Sequence, residues 1–288
     1  MPELPEVETV RCGLDAALTN ATIHKITLRR KNLRIPFPEN FARILTGRTI
    51  LQVRRRAKYL LFTLDSDDIL IAHLGMTGRF SVCHPALIAG SPSLREMPQH
   101  VRHDSNLHDH VLIELKDGRT AVYNDARRFG LMTLAKKNTL AKHPLLCDLG
   151  PEPLDKDFSA GYLKRELMKR SGPVKSVVMD QKLVVGVGNI YASEALFLAG
   201  IDPRKPAKKA ADKADGLHAA IRKVLNDAIA SGGSSLRDFL HVSGESGYFQ
   251  HRFNVYDRKG NPCFSCQTPI RSTRLAGRST FFCEHCQR

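Results

Sequence analysis

The chain has 288 residues, 42% of them apolar, and 44 Lys and Arg against 29 Asp and Glu give it a formal net charge of +15. A chain of this length can bury a sizeable core and predicts about two domains. The absence of a long apolar run and of a basic-then-apolar leader argues against a membrane span or a secretory signal, so we expect a cytoplasmic protein without a membrane partner. A pI near 9.7 favours a polyanion-binding protein over one that is merely soluble and basic.

The N-terminus can supply a reactive amine. Removal of Met1 would expose Pro2, a secondary amine beside the carboxylate of Glu3. Because an α-amino group has a pKa of about 8, part of it is unprotonated near neutral pH and can attack a sugar carbon to form an iminium. An exposed polar chain end is the alternative interpretation of this segment, and the segment alone favours it.

The basic residues are clustered. Eleven Lys and Arg lie between Lys25 and Lys58 against a single acid, Glu39, and the tail beyond His251 is similarly basic. Two basic regions at opposite ends of the sequence would suit the two sides of a groove that binds nucleic acid.

The first half of the chain predicts one helix followed by strands. Over residues 5–18 the apolar side chains Val7, Val10, Leu14 and Leu18 recur at helical spacing. The β-rich segments that follow cover residues 22–29, 49–54, 59–64, 69–74, 111–115, 120–123 and 131–134. This pattern is typical of a β-sandwich or barrel, and residues 81–106 are predicted to form a long surface loop.

The second half predicts helices. Residues 149–153 contain a glycine and two prolines and mark a domain boundary, and the helical patterns after it cover residues 162–169, 174–179, 189–199, 208–230 and 235–240. Asn189 is the candidate N-cap of the third helix.

A glycine turn leads into that third helix. The run from Gly186 to Asn189 ends at a helix N-terminus, where backbone N–H groups can bind a phosphate. A dinucleotide site is the competing interpretation. It is disfavoured because Tyr191 stands where the third glycine of the dinucleotide motif would be, and because no βαβ pattern surrounds the turn.

Four cysteines near the C-terminus form two CxxC pairs 16 residues apart: Cys263, Cys266, Cys283 and Cys286. This spacing predicts one structural Zn²⁺ held by four thiolates on two turns and closed to water. A redox CxxC motif or a disulfide pair is the alternative, and His285 is a further potential ligand. Arg278 and two other arginines lie between the pairs and present guanidinium groups suited to phosphate.

Six ordered motifs resemble those of bacterial formamidopyrimidine-DNA glycosylases along nearly the whole chain. They cover residues 2–9, 55–61, 73–78, 125–130, 182–194 and the four-cysteine finger. The resemblance implies an α+β fold: an N-terminal β-sandwich with a catalytic helix (1–149), a helix-two-turn-helix domain (150–250) and a β-hairpin zinc finger (251–288), with DNA in the cleft between the domains. The partner that the resemblance implies is damaged double-stranded DNA. We expect a monomer without a nucleotide cofactor that is associated with the bacterial nucleoid.

The resemblance assigns the chemistry to four catalytic residues: Pro2, Glu3, Lys58 and Arg278. Pro2 attacks C1′ of the damaged nucleotide, and Glu3 serves as general acid or base around the sugar. The resulting Schiff base allows β- and δ-elimination, so the protein would be both a glycosylase for oxidised purines and an abasic-site lyase. Lys58 would hold a phosphate and Glu6 would support the site. The alternative interpretation is that Glu3 and Glu6 are solvated charges at a helix start and that Lys58 is one more surface base.

The resemblance also assigns contacts with DNA. Met76, Arg127 and Phe129 would fill the space left by the extruded base, although core packing is the alternative for Met76 and Phe129. His108, Lys175 and Asn189 would bind DNA as well. Residues 243–249 match a mobile loop that closes over the base.

Some positions depart from the family pattern. Ala126 stands where proline is usual, Asp257 occupies a common glycine position, and the 81–106 loop is longer than usual.

Three other functions stay open. Endonuclease VIII-type enzymes prefer oxidised pyrimidines, but Leu4 and the Met76, Arg127 and Phe129 set favour purines. A non-catalytic zinc-finger DNA-binding protein would not explain Pro2, Glu3 and Lys58 together, and a nucleotide-dependent enzyme is the weakest alternative.

Overall fold

The fold is described from a computed structural model over residues 2–83, 107–234, 249 and 253–288. The chain divides into two compact units. The first unit holds Pro2, Glu6–Cys147 and Ser234, and the second holds Glu3–Pro5, Asp148–Gly233 and the described residues from Phe249 onward. The predicted helix 235–240 and the predicted loop 243–249, except Phe249, lie outside the described residues, as does most of the 81–106 loop.

The first unit contains two four-stranded antiparallel sheets and confirms the predicted β-sandwich. One sheet has the order β1-β6-β7-β5 and the other the order β2-β3-β4-β8. In chain order the strands are β1 (Ile23–Leu28), β2 (Ile50–Arg56), β3 (Tyr59–Leu64), β4 (Asp68–His73), β5 (Arg79–Cys83), β6 (Asp109–Leu115), β7 (Thr120–Asn124) and β8 (Leu131–Lys136).

The core of the first unit lies between the two sheets and also receives one face of the helix α1 (Leu4–Leu18). The rings of Phe62 and Phe80, from opposite sheets, lie 6.0 Å apart between their centroids. The four apolar residues that recur at helical spacing in α1 are all at most 1% exposed. The apolar periodicity of the sequence therefore identified the buried face of this helix correctly.

Three described elements of the first unit were not predicted, one of them a 3₁₀ helix at Lys137–Lys142. The short helix α2 (Phe41–Leu45) buries only Phe41 and Leu45, and the edge strand β5 buries only Phe80. The predicted loop was therefore wrong for residues 81–83, which belong to β5. Elements this short have too few apolar residues to show a period, and they form because neighbouring elements pack against them.

The second unit is mainly helical, as predicted. Its helices are α3 (Ala160–Met168), α4 (Val174–Val178), α5 (Asn189–Leu198), α6 (Ala207–Ala210) and α7 (Ala214–Ala230). The single helix predicted over 208–230 is wrong, because a 3₁₀ turn at Ala211–Lys213 separates α6 from α7. Four buried alanines around this turn pack into the core, so tertiary packing and not a helix-breaking residue redirects the chain.

The predicted N-cap of α5 is wrong by one residue. Gly188, and not Asn189, is its N-cap, and Asn189 is the first helical residue. Eight of the ten residues of α5 are buried, so this helix is the centre of the second core.

The C-terminal segment forms a two-stranded hairpin of β9 (Arg271–Leu275) and β10 (Arg278–Phe282). Ala276 and Gly277 connect the strands, and both have positive φ, of 46° and 75°. Positive φ at both central residues is the requirement of a type I′ turn, whose twist matches paired strands. The turn places Arg278 at the start of β10. Across the described residues, no helix is both long and apolar enough to cross a membrane.

Candidate functional site

The carboxylate of Glu3 is bound by the N-terminus of α5. Its Oε2 accepts hydrogen bonds from the Gly188 N–H at 2.9 Å and the Tyr191 N–H at 3.4 Å, and its Oε1 accepts one from the Ile190 N–H at 3.0 Å. The first amides of a helix lack internal partners and carry the positive end of the dipole, so a buried anion is stabilised there. The amides that the sequence indicated for a phosphate therefore bind this carboxylate instead.

Two glycines allow the N-terminal segment to approach this closely. A Cβ on Gly188 would lie 2.3 Å from Cδ of Glu3, and a Cβ on Gly186 would lie 2.5 Å from Cβ of Leu4. The Leu4 N–H also donates to the Gly186 carbonyl at 3.1 Å. The glycine turn is thus shaped for residues of the same chain, which accounts for its composition without a bound dinucleotide.

The other N-terminal residues of interest are also buried. Pro2 is buried, and Glu6 is only 2% exposed. Glu6 Oε1 accepts hydrogen bonds from the N–H of Ser234 at 2.8 Å and from its hydroxyl at 2.9 Å. Neither Glu3, at 4% exposure, nor Glu6 is therefore a solvated charge at a chain end.

Lys58 lies in the tight turn between β2 and β3, which an ion pair holds in place. Ala57 in this turn has a φ of 53°, and Lys58 is 7% exposed. The Arg55 guanidinium donates to the Ala57 carbonyl at 2.9 Å and to Glu8 Oε2 at 2.7 Å. The turn that carries Lys58 is thereby tied to α1, and Lys58 is not an ordinary surface base.

His73 is a candidate functional residue that the sequence analysis missed. It pairs with Tyr59 across the sheet, with ring centroids 4.9 Å apart, and its Nδ1 accepts the Gly75 N–H at 2.9 Å. Burial, together with the charges of Lys58 and Arg34, lowers the pKa of His73 to about 4. The imidazole is therefore neutral at pH 7, and because Nδ1 accepts a hydrogen bond its proton is assigned to Nε2. Its position at the end of a buried strand, within a quoted motif, was the available signal.

We expect His73 to make the protein sensitive to acid. Its folded pKa of about 4 lies below the ordinary 6.5, so between these values the unfolded chain binds a proton that the folded protein does not. The resulting loss of unfolding free energy is absent above pH 6.5 and reaches its full size below pH 4. Between pH 7 and pH 5 the wild type should lose about 2 kcal/mol more unfolding free energy than His73→Gln. Urea unfolding at both pH values measures this difference, and equal losses in the two proteins would contradict it.

The three residues predicted to replace the extruded base lie on two loops of the first unit. Met76 follows β4 and is partly buried, whereas Arg127 and Phe129 lie between β7 and β8 and are exposed. Phe129 is 44% exposed, so core packing does not account for it. The Arg127 guanidinium lies 4.8 Å from the centroid of the Phe129 ring. An exposed aromatic ring with a stacked cation is suited to contact with nucleic-acid bases.

His108 and Lys175 are placed differently from each other. His108 is partly buried, and its carbonyl accepts the Asp125 N–H at 3.0 Å. Lys175 is 1% exposed, and its ammonium donates to the Ser279 carbonyl at 3.1 Å and to Thr280 Oγ1 at 2.9 Å. Burial lowers the pKa of Lys175 to about 7, partly opposed by the nearby Glu3 carboxylate. Lys175 therefore contacts the hairpin, and any effect it has on DNA would pass through β10.

Asn189 and Arg278 offer polar groups in the second unit. Asn189 is partly buried beside Tyr256, and its Oδ1 is buried with no hydrogen-bond partner among the described residues. Arg278 is exposed at the start of β10, directly after the hairpin turn. A guanidinium in this position is available to a phosphate, whereas the Asn189 side chain is partly enclosed.

The four C-terminal cysteines fit a zinc ion. Their sulfurs all lie within 4.8 Å of one another, with 3.9 Å between Cys263 and Cys286 and 3.4 Å between Cys266 and Cys283. A tetrahedral zinc with Zn–S bonds of about 2.3 Å separates its sulfurs by about 3.8 Å. Cys263 and Cys283 are fully buried, so the four sulfurs suit a closed structural Zn²⁺.

We expect Cys266→Ser to lower zinc content and DNA affinity together. The metal supplies much of the folding free energy of small fingers, so its loss should disorder the hairpin that carries Arg278. The slope of log affinity against log salt should also become shallower by about one unit, since one phosphate contact is lost. Metal analysis and duplex titrations measure both effects. Cys147→Ser, at an exposed cysteine of the first unit, is the matched control. Unchanged duplex binding by a zinc-free variant would contradict the prediction.

Glu194 is a second buried carboxylate that the sequence analysis quoted only within a motif. It is 1% exposed and lies on α5. Its oxygens accept four hydrogen bonds from the segment before the finger: from the N–H and Nδ2 of Asn254 at 2.8 and 3.0 Å, and from the N–H groups of Val255 and Tyr256 at 3.0 and 2.9 Å. Glu194 thereby connects α5 to the chain that leads into the finger.

Three family models match the chain in succession. The formamidopyrimidine-DNA glycosylase N-terminal domain matches residues 1–132, the formamidopyrimidine-DNA glycosylase H2TH domain matches residues 149–240, and the zinc finger found in FPG and IleRS matches residues 260–288. Together they cover most of the sequence.

Similar proteins match over the full length. Formamidopyrimidine-DNA glycosylases of Azorhizobium caulinodans and Dinoroseobacter shibae are 48% and 47% identical, with 100% of this chain and 100% of each relative covered. The crystal structure of the MutM (Fpg) protein from Thermus thermophilus has a TM-score of 0.83 at 38% identity, covering 99% of this chain and 98% of that one. A Lactococcus lactis Fpg mutant in complex with a Fapy-dG containing DNA has a TM-score of 0.87 at 33% identity, with 100% of each chain covered.

Proposed function

Because the chain belongs to the formamidopyrimidine-DNA glycosylase family, we propose that it excises oxidised purines, such as 8-oxoguanine and formamidopyrimidines, from double-stranded DNA and then cleaves the abasic strand. The full-length relatives carry the glycosylase name, and a similar structure contains DNA with a Fapy-dG lesion. The observation that carries the proposal is the N-terminus itself. The carboxylate of Glu3, the residue after Pro2, accepts hydrogen bonds from three backbone amides at the N-terminus of α5. The turn before this helix has glycine at residues 186 and 188, where a Cβ would collide with the N-terminal segment.

In the proposed reaction Pro2, freed of Met1, is the nucleophile. Its nitrogen attacks C1′, the bond from C1′ to the base breaks, and the base leaves with a proton while the sugar opens to an iminium. The iminium acidifies the C2′ proton. Loss of that proton expels the 3′ phosphate by β-elimination, and δ-elimination then expels the 5′ phosphate. Glu3 transfers protons around the sugar as general acid or base. Lys58 holds a phosphate beside the lesion.

DNA recognition is proposed to combine phosphate contacts with extrusion of the damaged base. Arg278 and Asn189 bind the backbone, and His108 contributes on the first unit. Met76, Arg127 and Phe129 occupy the vacated space and thereby offset part of the unstacking cost, which is a few kcal/mol. The exposure of Arg127, Phe129 and Arg278 supports these roles. We assign these tasks to domains at residues 1–149, 150–250 and 251–288.

The proposed mechanism also determines what else the protein needs. Iminium formation at an amine takes no hydride and no phosphoryl group, so it requires no nucleotide cofactor, and the structural Zn²⁺ serves only the finger. We propose that the protein acts as a monomer and that its substrate places it in the bacterial cytoplasm at the nucleoid.

Borohydride trapping tests the proposal directly. Reduction during turnover of an 8-oxoguanine duplex should give a covalent adduct whose modified peptide begins at Pro2. A form that keeps an uncleaved N-terminal tag is the control, because its proline nitrogen is an amide and should not be trapped. An adduct at a lysine of the untagged protein would overturn the mechanism. A parallel duplex with an oxidised pyrimidine separates the alternatives, since faster trapping there would assign endonuclease VIII-type specificity.

A further inference from the structure

A single buried carboxylate connects the two loops that carry Met76, Arg127 and Phe129. Asp125 is 0% exposed, and its Oδ1 accepts the Thr77 hydroxyl at 2.6 Å. Its Oδ2 accepts the Gly130 N–H at 2.8 Å and the Tyr123 hydroxyl at 3.3 Å. Thr77 follows Met76 directly, and Gly130 follows Phe129 directly. On each loop, the Asp125 carboxylate is therefore hydrogen-bonded to the residue that directly follows Met76 or Phe129.

Thr77 extends this connection to the third residue. Its Oγ1, which donates to Asp125, also accepts the Arg127 N–H at 3.1 Å. The two loops are in close contact at a second point as well, because a Cβ on Gly75 would lie 2.3 Å from the Phe129 carbonyl carbon. A shift of either loop would break these contacts together.

The tip that Asp125 anchors is exposed and conformationally strained. Residues 126–129 are exposed between the buried Asp125 and Gly130. Arg128 has a φ of 56°, in the left-handed region that non-glycine residues rarely adopt. Such a conformation persists only where surrounding contacts enforce it. Ala126 does not fix φ as a proline would, so the hydrogen bonds at the two ends of the tip must hold its shape.

We propose that Asp125 is a positioning residue that holds Met76, Arg127 and Phe129 as one platform, so that the three side chains enter the duplex together when the damaged base is extruded. The proposal rests on the proposed function. Asp125 does not touch the reacting atoms. Its effect should therefore appear in base extrusion and be small where no base remains to be extruded.

A matched pair of variants at Thr77 tests the proposal. Thr77→Ser keeps the hydroxyl that joins Asp125 to Arg127, whereas Thr77→Val removes it with little change of shape. Single-turnover excision from an 8-oxoguanine duplex should fall roughly tenfold or more in Thr77→Val, as expected for one lost bond to a charged group. Excision by Thr77→Ser should stay near wild type, and cleavage of a preformed abasic site should stay near wild type in both.

Asp125→Asn extends the test, because its amide has one acceptor oxygen and cannot accept from both the Thr77 hydroxyl and the Gly130 N–H. Its excision should fall further than that of Thr77→Val. The platform is refuted if Thr77→Val excises like wild type, or if it loses excision and abasic-site cleavage equally while its melting temperature is unchanged. If Asp125→Asn fails to fold, the Thr77 pair alone decides. Wild-type protein that forms no trapped adduct would refute the proposed function instead, which is a distinguishable outcome.

Discussion

Gly188→Ala should reduce excision and strand cleavage by roughly 100-fold or more, the contribution typical of a general acid or base. The added methyl group would lie 2.3 to 2.6 Å from the Glu3 carboxyl group, so that side chain must leave the α5 amides. Backbone strain does not contribute, because the φ of Gly188 is −122°, which alanine adopts readily. The loss should therefore come from displacement of Glu3 alone.

Gly216→Ala is the matched control for this prediction. The same methyl group there meets no atom within 4 Å, on an exposed face of α7. It should leave activity unchanged and stabilise the helix by about 0.5–1 kcal/mol. Single-turnover kinetics on an 8-oxoguanine duplex, with melting curves for all three proteins, make the comparison. Wild-type rates in Gly188→Ala would show that the position of Glu3 does not govern the chemistry.

Glu194→Ala should have the largest effect on stability. It removes the acceptor of four hydrogen bonds and leaves three backbone N–H groups without it, that of the buried Val255 and those of the partly buried Asn254 and Tyr256. At about 1–3 kcal/mol for each stranded donor, the unfolding free energy should fall by about 3–5 kcal/mol. Glu194→Gln keeps one carbonyl acceptor and should lose about half as much. Duplex affinity should fall in parallel, because the segment bound by Glu194 leads into the finger.

Glu166→Ala provides the comparison for Glu194. Glu166 lies on α3 and forms ion pairs with Lys169 and Arg170, which follow the end of that helix. Such pairs contribute at most about 1 kcal/mol to the unfolding free energy. Urea unfolding of the three variants ranks the two glutamates. Equal losses at the two positions would mean that the bonds of Glu194 carry no special weight.

Local patterns predicted most of the fold. The strand β3 was predicted with its observed ends, and the helical face from Val7 to Leu18 is buried as expected. The paired cysteines predicted a metal cluster that the structure brings together. In each case the signal lies within a few residues of the chain, so periodicity or spacing can reveal it.

Contacts between distant parts of the sequence could not be predicted in this way. The Glu3 side chain bonds an amide 185 residues away, and the burial of Lys175 depends on a hairpin about a hundred residues further along. The glycine turn was correctly placed before a helix, but the sequence does not show that the anion at its amides is part of the same chain. Asp125, Glu194 and His73 escaped notice because their roles come from partners on other elements.

The binding of Glu3 by α5 also has a consequence during synthesis. Residues 2 and 3 are synthesised before residues 188, 190 and 191, whose amides bind Glu3. At roughly 5–20 residues per second, synthesis of that stretch takes about 10 to 40 s. For that interval the N-terminal segment has no helix to bind, and an aminopeptidase can reach Met1. Removal of Met1 from Pro2 is therefore expected to precede burial of this segment, and slow processing would leave the proposed nucleophile blocked in the folded protein.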